Sequence, residues 1–258
     1  MSNSTNRLNA VLSDGYEFRL GDYISKGFNI FGKNMGMFIG YLLVSFIISI
    51  GLSVIPILGQ IASAFISAAL TAGYYIVAHK TERGEYPQFS NFFDGFNDWV
   101  PLFLSTLIAA ACIIGCMLPL GIFMIAKFGF DDLVNNSTPD FGAATVGIIV
   151  VLFIFILVLM YLGFSIIYTS LFIVFDKMDA WQAMKTSYAI VNQHFFSHLL
   201  FFIVWGFIAV LSAIPLGLGL LFTIPAYYCS IYAAWADITK YNEEPDTNND
   251  DLLRHLIS

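Results

Sequence analysis

The chain has 258 residues, of which 58% are hydrophobic and 11% charged, with a mean hydropathy of +0.77 and a formal charge of −7 at pH 7. A soluble domain carries about 25% charged residues, so a wholly water-solvated fold is excluded and lipid must cover part of the surface. Basic patches are what phosphate backbones select, and with 11 Lys and Arg against 18 Asp and Glu no nucleic-acid partner is expected.

Residues 1–20 read as a polar N-terminal tail. Their charged start is not followed by an apolar core, so no signal peptide is expected there. A six-helix transmembrane domain is expected over 21–240. A spanning helix needs about 20 mostly apolar residues, and six runs qualify: about 37–55, 59–79, 99–127, 143–175, 195–214 and 218–237. Runs one and two meet at IPILG around Pro56, and runs five and six at IPLGLG around Pro215. Pro and Gly punctuate both as tight turns. Run three contains a further expected break at Pro119. Run four would be about 50 Å long at 1.5 Å per residue, against a hydrocarbon core of about 30 Å. It must tilt, kink or project. Residues 241–258 form an acidic tail whose composition favours disorder.

Lys and Arg fix the orientation. Arg7, Arg19, Lys26 and Lys33 precede the first run, Lys80 and Arg83 follow the second, Lys177 and Lys185 follow the fourth, and Lys240 and Arg254 follow the sixth. All ten fall on one side, with Lys127 alone on the other. Both termini are therefore expected in the cytoplasm and the 128–142 loop outside.

Three polar stretches carry an apolar stripe at helical spacing. The first is Ile24, Phe28, Phe31 and Met35; the second Phe89, Phe93, Phe96 and Val100; the third Met184, Tyr188, Val191 and Phe195. Each precedes an apolar run and then one of the three prolines. This predicts an internal repeat of three hairpins, each preceded by an amphipathic interfacial helix, in an all-α fold.

The stretches AGYYIVAHKTERGEYPQFSNFFDGF (72–96) and FIVFDKMDAWQAMKTSYAIVNQHFF (172–196) resemble motifs of a family of six-helix bacterial membrane proteins without assigned chemistry. That family is similar to YciC-like proteins and to the membrane domain attached to some glycerophosphodiester phosphodiesterases. The resemblance spans most of residues 20–238. It implies a multi-pass protein of the bacterial cytoplasmic membrane and carries over no catalytic residue.

Candidate site residues are few. His194 and His198 have the i, i+4 spacing of two metal ligands on one helix face, and His79 is expected at the same side of the membrane. Against a metal, histidines at an interface are common as amphipathic packing groups. Gln60, Ser63, Ser67 and Thr71 share a face of the second run, either as a polar lining or as a close-packing face of small residues. Apart from Lys127 at the very end of run three, no Asp, Glu, Lys or Arg lies inside runs one to five, which argues against proton coupling through buried charge. Cys112, Cys116 and Cys229 all lie in apolar runs and suggest no disulfide framework. The sequence carries no phosphate-binding Gly loop, nucleophile elbow or zinc-finger spacing. The expectation is a non-enzymatic scaffold or partner subunit without cofactor. Its expected partners are the lipid bilayer and another membrane protein or lipid head groups. The alternative is a transporter or lipid-handling protein with a path along a pseudo-threefold axis.

Overall fold

The computed structural model describes residues 2–56, 58–128 and 145–242. The expected outer loop and the acidic tail fall almost wholly outside them. Every regular element in the described residues is helical: α1 (Ser2–Asp14), α2 (Leu20–Lys33), α3 (Met35–Ser53), α4 (Leu58–Glu82), a 3₁₀ segment (Phe89–Asp98), α5 (Trp99–Phe128), α6 (Thr145–Ser165), α7 (Thr169–Asp176), α8 (Ala180–Gln193), α9 (Phe195–Ala213) and α10 (Leu220–Ile238).

Among the described residues five stretches are long and apolar enough to cross a membrane: Met35–Ser53, Gly59–Glu82, Phe89–Pro119, Val151–Asp176 and Phe195–Ala213. Their outer faces leave Phe46, Ile47, Phe153, Phe207 and Val210 exposed. Water would not tolerate so continuous an apolar surface, whereas acyl chains solvate it. The sixth expected span, α10, has 19 residues but is less apolar. The reason is its position: nearly every residue from Ala226 to Ile238 is buried, so its side chains meet protein rather than lipid and Tyr, Ser and Thr are tolerated.

The three polar stretches each dock on a longer element. α2 lies along α10, the 3₁₀ segment lies along α4, and α8 lies on α7 with further contact to α5 and α6. Their buried faces overlap the stripes read in the sequence only in part. Tyr23, Gly27, Ile30 and Phe31 are buried on α2, Phe92 and Gly95 on the 3₁₀ segment, and Ala180, Ala183, Met184, Ser187, Ile190 and Val191 on α8, so Phe31, Met184 and Val191 are the stripe residues that face inward. Phe28, Met35, Phe89, Val100 and Tyr188 are exposed. Close approach selects small residues at the contact itself, so the bulky side chains that dominate a hydrophobic stripe flank it. A Cβ at Gly27 would stand 2.7 Å from the Ser230 backbone nitrogen, and one at Gly95 would stand 3.0 Å from the Ala72 Cβ.

The prolines divide. Pro56 and Pro215 sit in the turns between α3 and α4 and between α9 and α10. Pro119 makes no break, because α5 continues through it to Phe128. A proline removes one backbone donor, but leaving the helix in lipid would strand many more, so the chain stays helical.

The overlong fourth run kinks instead. Residues 166–168 form a turn between α6 and α7. Ser187 of α8 repairs the interrupted ladder: its hydroxyl donates to the Ser165 carbonyl at 2.9 Å and accepts from the Tyr168 N–H at 3.1 Å. Ser165, Tyr168 and Ser187 are all buried. Replacing Ser187 with alanine strands both backbone groups away from water. The expected loss is about 2–3 kcal/mol, read as a lower midpoint in unfolding from detergent, whereas an unchanged midpoint would show the kink to be self-sufficient.

Residues 1–20 are more than a tail. α1 buries Leu8 and Val11. It is tied down by the Gln193 amide donating to the Leu12 carbonyl at 2.8 Å and by Tyr16 donating to the Ile190 carbonyl at 2.8 Å.

Candidate functional site

The ends of α4, α7 and α10 lie together at one end of the bundle, and each carries an acidic residue: Glu82, Asp176 and Asp237. A carboxylate at a helix C-terminus is opposed by the helix dipole. Each is met by a base from the N-terminal segment. Arg7 donates to Asp176 at 2.7 Å, Arg19 pairs with Asp237, and Lys26 pairs with Glu82. Lys177 adds a link to Asp98 at 2.7 Å. The bases in these four pairs come from two of the four groups expected on one side, the N-terminal group and the one that follows the fourth run. Tyr23 also donates to Asp237 at 2.8 Å, and burial pushes the Tyr16 and Tyr23 phenols well above the usual tyrosine range, so both stay neutral donors. A cavity of about 590 Å³ beside this cluster is walled by both signs of charge, among them Arg7, Arg19 and Lys240 with Asp14, Glu17 and Asp237.

Just inside this belt the three helices converge on aromatic rings. Phe175 of α7 lies 5.0 Å from the His79 ring of α4 and 5.2 Å from the Trp235 ring of α10. Trp235 also meets Phe172 at 5.9 Å and Tyr241 at 4.7 Å. The Arg7 guanidinium covers Tyr241 at 4.8 Å. Trp235 and Tyr232 are fully buried. The space where α4, α7 and α10 meet is filled by these rings.

The histidines take places in these networks. The His79 Nδ1 lies 2.8 Å from the Tyr232 hydroxyl, which donates to Glu82 at 2.6 Å. With that proton given to the carboxylate, Nδ1–H is the donor to the tyrosine oxygen. His198 is buried, its Nδ1 3.0 Å from the His194 carbonyl and its Nε2 3.1 Å from the Tyr168 hydroxyl. A carbonyl only accepts, so Nδ1 carries the proton and Nε2 accepts from Tyr168. Both ring nitrogens are thereby occupied. His194 forms the corner between α8 and α9, and its ring packs on Tyr16 at 4.6 Å. His79 and the His194–His198 pair hold separate partners, and among the described residues no group of three or more His, Cys, Asp or Glu is arranged to hold a metal ion.

The polar face of α4 is divided. Gln60 and Ser67 are exposed, Ser63 and Thr71 half-buried, and Ser67 donates to the Ala64 carbonyl of its own helix at 3.3 Å. None of the four lines the cavities described here.

A second cavity, about 400 Å³, opens sideways between α6, α9 and α10. Its walls are apolar apart from Trp205, Thr223 and Tyr227. Thr223 is spoken for, bonded to Ser212 at 2.6 Å and to the Gly219 carbonyl at 3.0 Å. Tyr227 is the one titratable residue of this lining, and Trp205 and Gly206 are chain neighbours on α9.

No protein family, curated protein or solved structure gives a significant match to this chain.

Proposed function

We propose that the chain is a non-catalytic scaffold or partner subunit of the bacterial cytoplasmic membrane, with six spans in three hairpins and both termini in the cytoplasm. In this reading the hairpins are α3–α4, α5 with α6–α7, and α9–α10. The docking order supports the repeat. The 3₁₀ segment lies on the return helix of the first hairpin, α8 lies on that of the second, and α2 on α10 closes the circle. Among the described residues all five ion pairs, the local Arg83–Glu85 pair included, link groups at the end assigned to the cytoplasm.

The observation that carries the scaffold reading is the filled axis. Where α4, α7 and α10 meet, His79, Phe175, Tyr232 and Trp235 interlock beneath the ion-paired belt. That packing weighs against a solute path along the axis and leaves the outer faces as the working surface. Extraction of the tagged protein at natural expression level in mild detergent is expected to yield one companion membrane protein at fixed stoichiometry by native mass spectrometry. A chain that runs alone with lipid only overturns the proposal.

A further inference from the structure

We propose that the outward face of α8 holds an anionic glycerophospholipid of the cytoplasmic leaflet, its phosphate at the Lys185 ammonium and one acyl chain running past Phe195 and Phe196. The site rests on the orientation proposed above and is independent of the companion protein.

Two helices mark the edge of the hydrocarbon core beside α8. α9 has 19 residues and α6 has 21. At 1.5 Å per residue these are about 28 and about 31 Å long, against a core of about 30 Å. Each just crosses it, and their neighbouring ends meet: the Tyr161 ring of α6 lies 5.4 Å from the ring of Phe195, where α9 begins. α8 precedes that point in the chain and so stands on the head-group side.

One side of α8 is spent on α7. The other carries Trp181, Lys185 and Tyr188, all exposed, and then the half-buried Asn192, at i, i+4, i+7 and i+11 of one helical face. Phe195 and Phe196 follow, and Phe196 is 81% exposed. Toward the membrane this row passes from a cation to hydrogen-bonding groups to bare rings. A glycerophospholipid presents phosphate, ester and acyl chain in the same order.

Lys185 is uncommitted. Its ammonium lies 4.9 Å over the Trp181 ring, and none of the ion pairs among the described residues includes it. Asp179, the acid at the start of this helix, accepts from the Gln182 N–H at 2.9 Å. A ring positions a cation without neutralising it, which leaves the ammonium hydrogens for a ligand oxygen. The neighbouring polar groups are locked. The Tyr161 hydroxyl donates to the Asn192 Oδ1 at 2.7 Å, and the Asn192 Nδ2 donates to the Tyr188 carbonyl at 2.7 Å. Tyr161 has one hydroxyl proton, so Tyr188 supplies the proton of the 3.1 Å bond between the two phenols. The second Asn192 N–H is left as a donor to an ester or phosphate oxygen.

A free anion is a poor fit. One lysine at a membrane surface attracts an anion only severalfold, whereas acyl chains buried at the same spot keep the phosphate at high local concentration.

The test uses the full chain in phosphatidylcholine nanodiscs doped with phosphatidylglycerol, with retained lipid counted by native mass spectrometry. Wild type should keep one phosphatidylglycerol in preference to phosphatidylcholine. Lys185→Gln should lower that affinity about fivefold, and Lys185→Glu should abolish the preference. Lys33→Gln, which removes an exposed α2 lysine also outside the ion pairs, should leave it unchanged, as should added inorganic phosphate. Thermal melts confirm that the variants are folded. Equal retention by wild type and Lys185→Gln overturns the proposal. So do equal losses in Lys185→Gln and Lys33→Gln, equal retention of the two lipids, or displacement by inorganic phosphate. Orientation is read separately, by labelling Lys185→Cys with a membrane-impermeant maleimide from the cytoplasmic side. Absence of labelling overturns the orientation and the site with it, whereas lost lipid preference in a protein that labels overturns the site alone.

Discussion

Gly27→Val is expected to unfold the α2–α10 interface at a cost of about 3 kcal/mol or more, at the upper end of overpacking effects. The side chain has nowhere to go. Besides the Ser230 hydroxyl, a Cβ at this position meets the Ser230 backbone nitrogen at 2.7 Å and its Cα at 2.8 Å. Backbone in the middle of a buried helix cannot rotate aside as a flexible side-chain tip can. Trimming the neighbour therefore does not help: Gly27→Val with Ser230→Ala should be as unstable as Gly27→Val alone. Gly32, on the same helix, is the control. Nothing lies within 4 Å of a Cβ there, and Gly32→Ala should be neutral or stabilising by roughly 0.5–1 kcal/mol. Unfolding midpoints in detergent, together with trypsin cleavage at the newly loosened Arg19, read both results. Equal midpoints for the Gly27 and Gly32 variants would show that α2 is not held by this contact.

Trp235→Ala is expected to cost about 3–5 kcal/mol, the range for removing a large buried aromatic. Trp235 is the common neighbour of Phe172, Phe175, Tyr232 and Tyr241, so its loss opens a void shared by α7, α10 and the Tyr241 ring that follows it. Its Nε1–H has no acceptor, so the penalty is one of packing and not of a broken hydrogen bond. That predicts a contrast: Trp235→Phe should cost only about 1–2 kcal/mol, because it also removes an unmet polar group. If the two substitutions were equally harmful, a hidden partner for the indole would be implied. If Trp235→Ala were mild, the axis would be looser than its ring contacts indicate.

The helical, lipid-facing character was legible in the sequence because it rests on run length and hydropathy, which survive any packing arrangement. The kink in the fourth run was half legible. Its length demanded an accommodation, but that Ser187 would supply it, from 22 residues beyond the Ser165 carbonyl, depends on which helix crosses the gap. The docking faces of α2 and α8 were legible only in part: Phe31, Met184 and Val191 of the stripes are buried, while Phe28 and Tyr188 are exposed. A hydrophobic stripe weighs side chains by size, whereas the closest contacts belong to Gly27 and Ser187. α10 was legible as a helix and less so in its role, since its centrality depends on every other element surrounding it. Of the candidate site residues, His198 and His79 were legible only by spacing and by side of the chain. Their occupied nitrogens follow from Tyr168 and Tyr232, which come from distant parts of the chain.

The docking of α2 on α10 also sets a timetable for biosynthesis. Gly27 leaves the ribosome early, yet its partner Ser230 follows only after some 200 further residues, roughly 10–40 s later at ordinary elongation rates. Throughout that interval the face of α2 that carries Tyr23, Gly27, Ile30 and Phe31 and the basic residues of the N-terminal segment wait without the full set of their acidic counterparts Glu82, Asp176 and Asp237. Docking of α2 on α10 is consequently a late event. A nascent chain halted before α10 would expose the one surface that the finished protein never presents, a ready mark of incompleteness for membrane quality control.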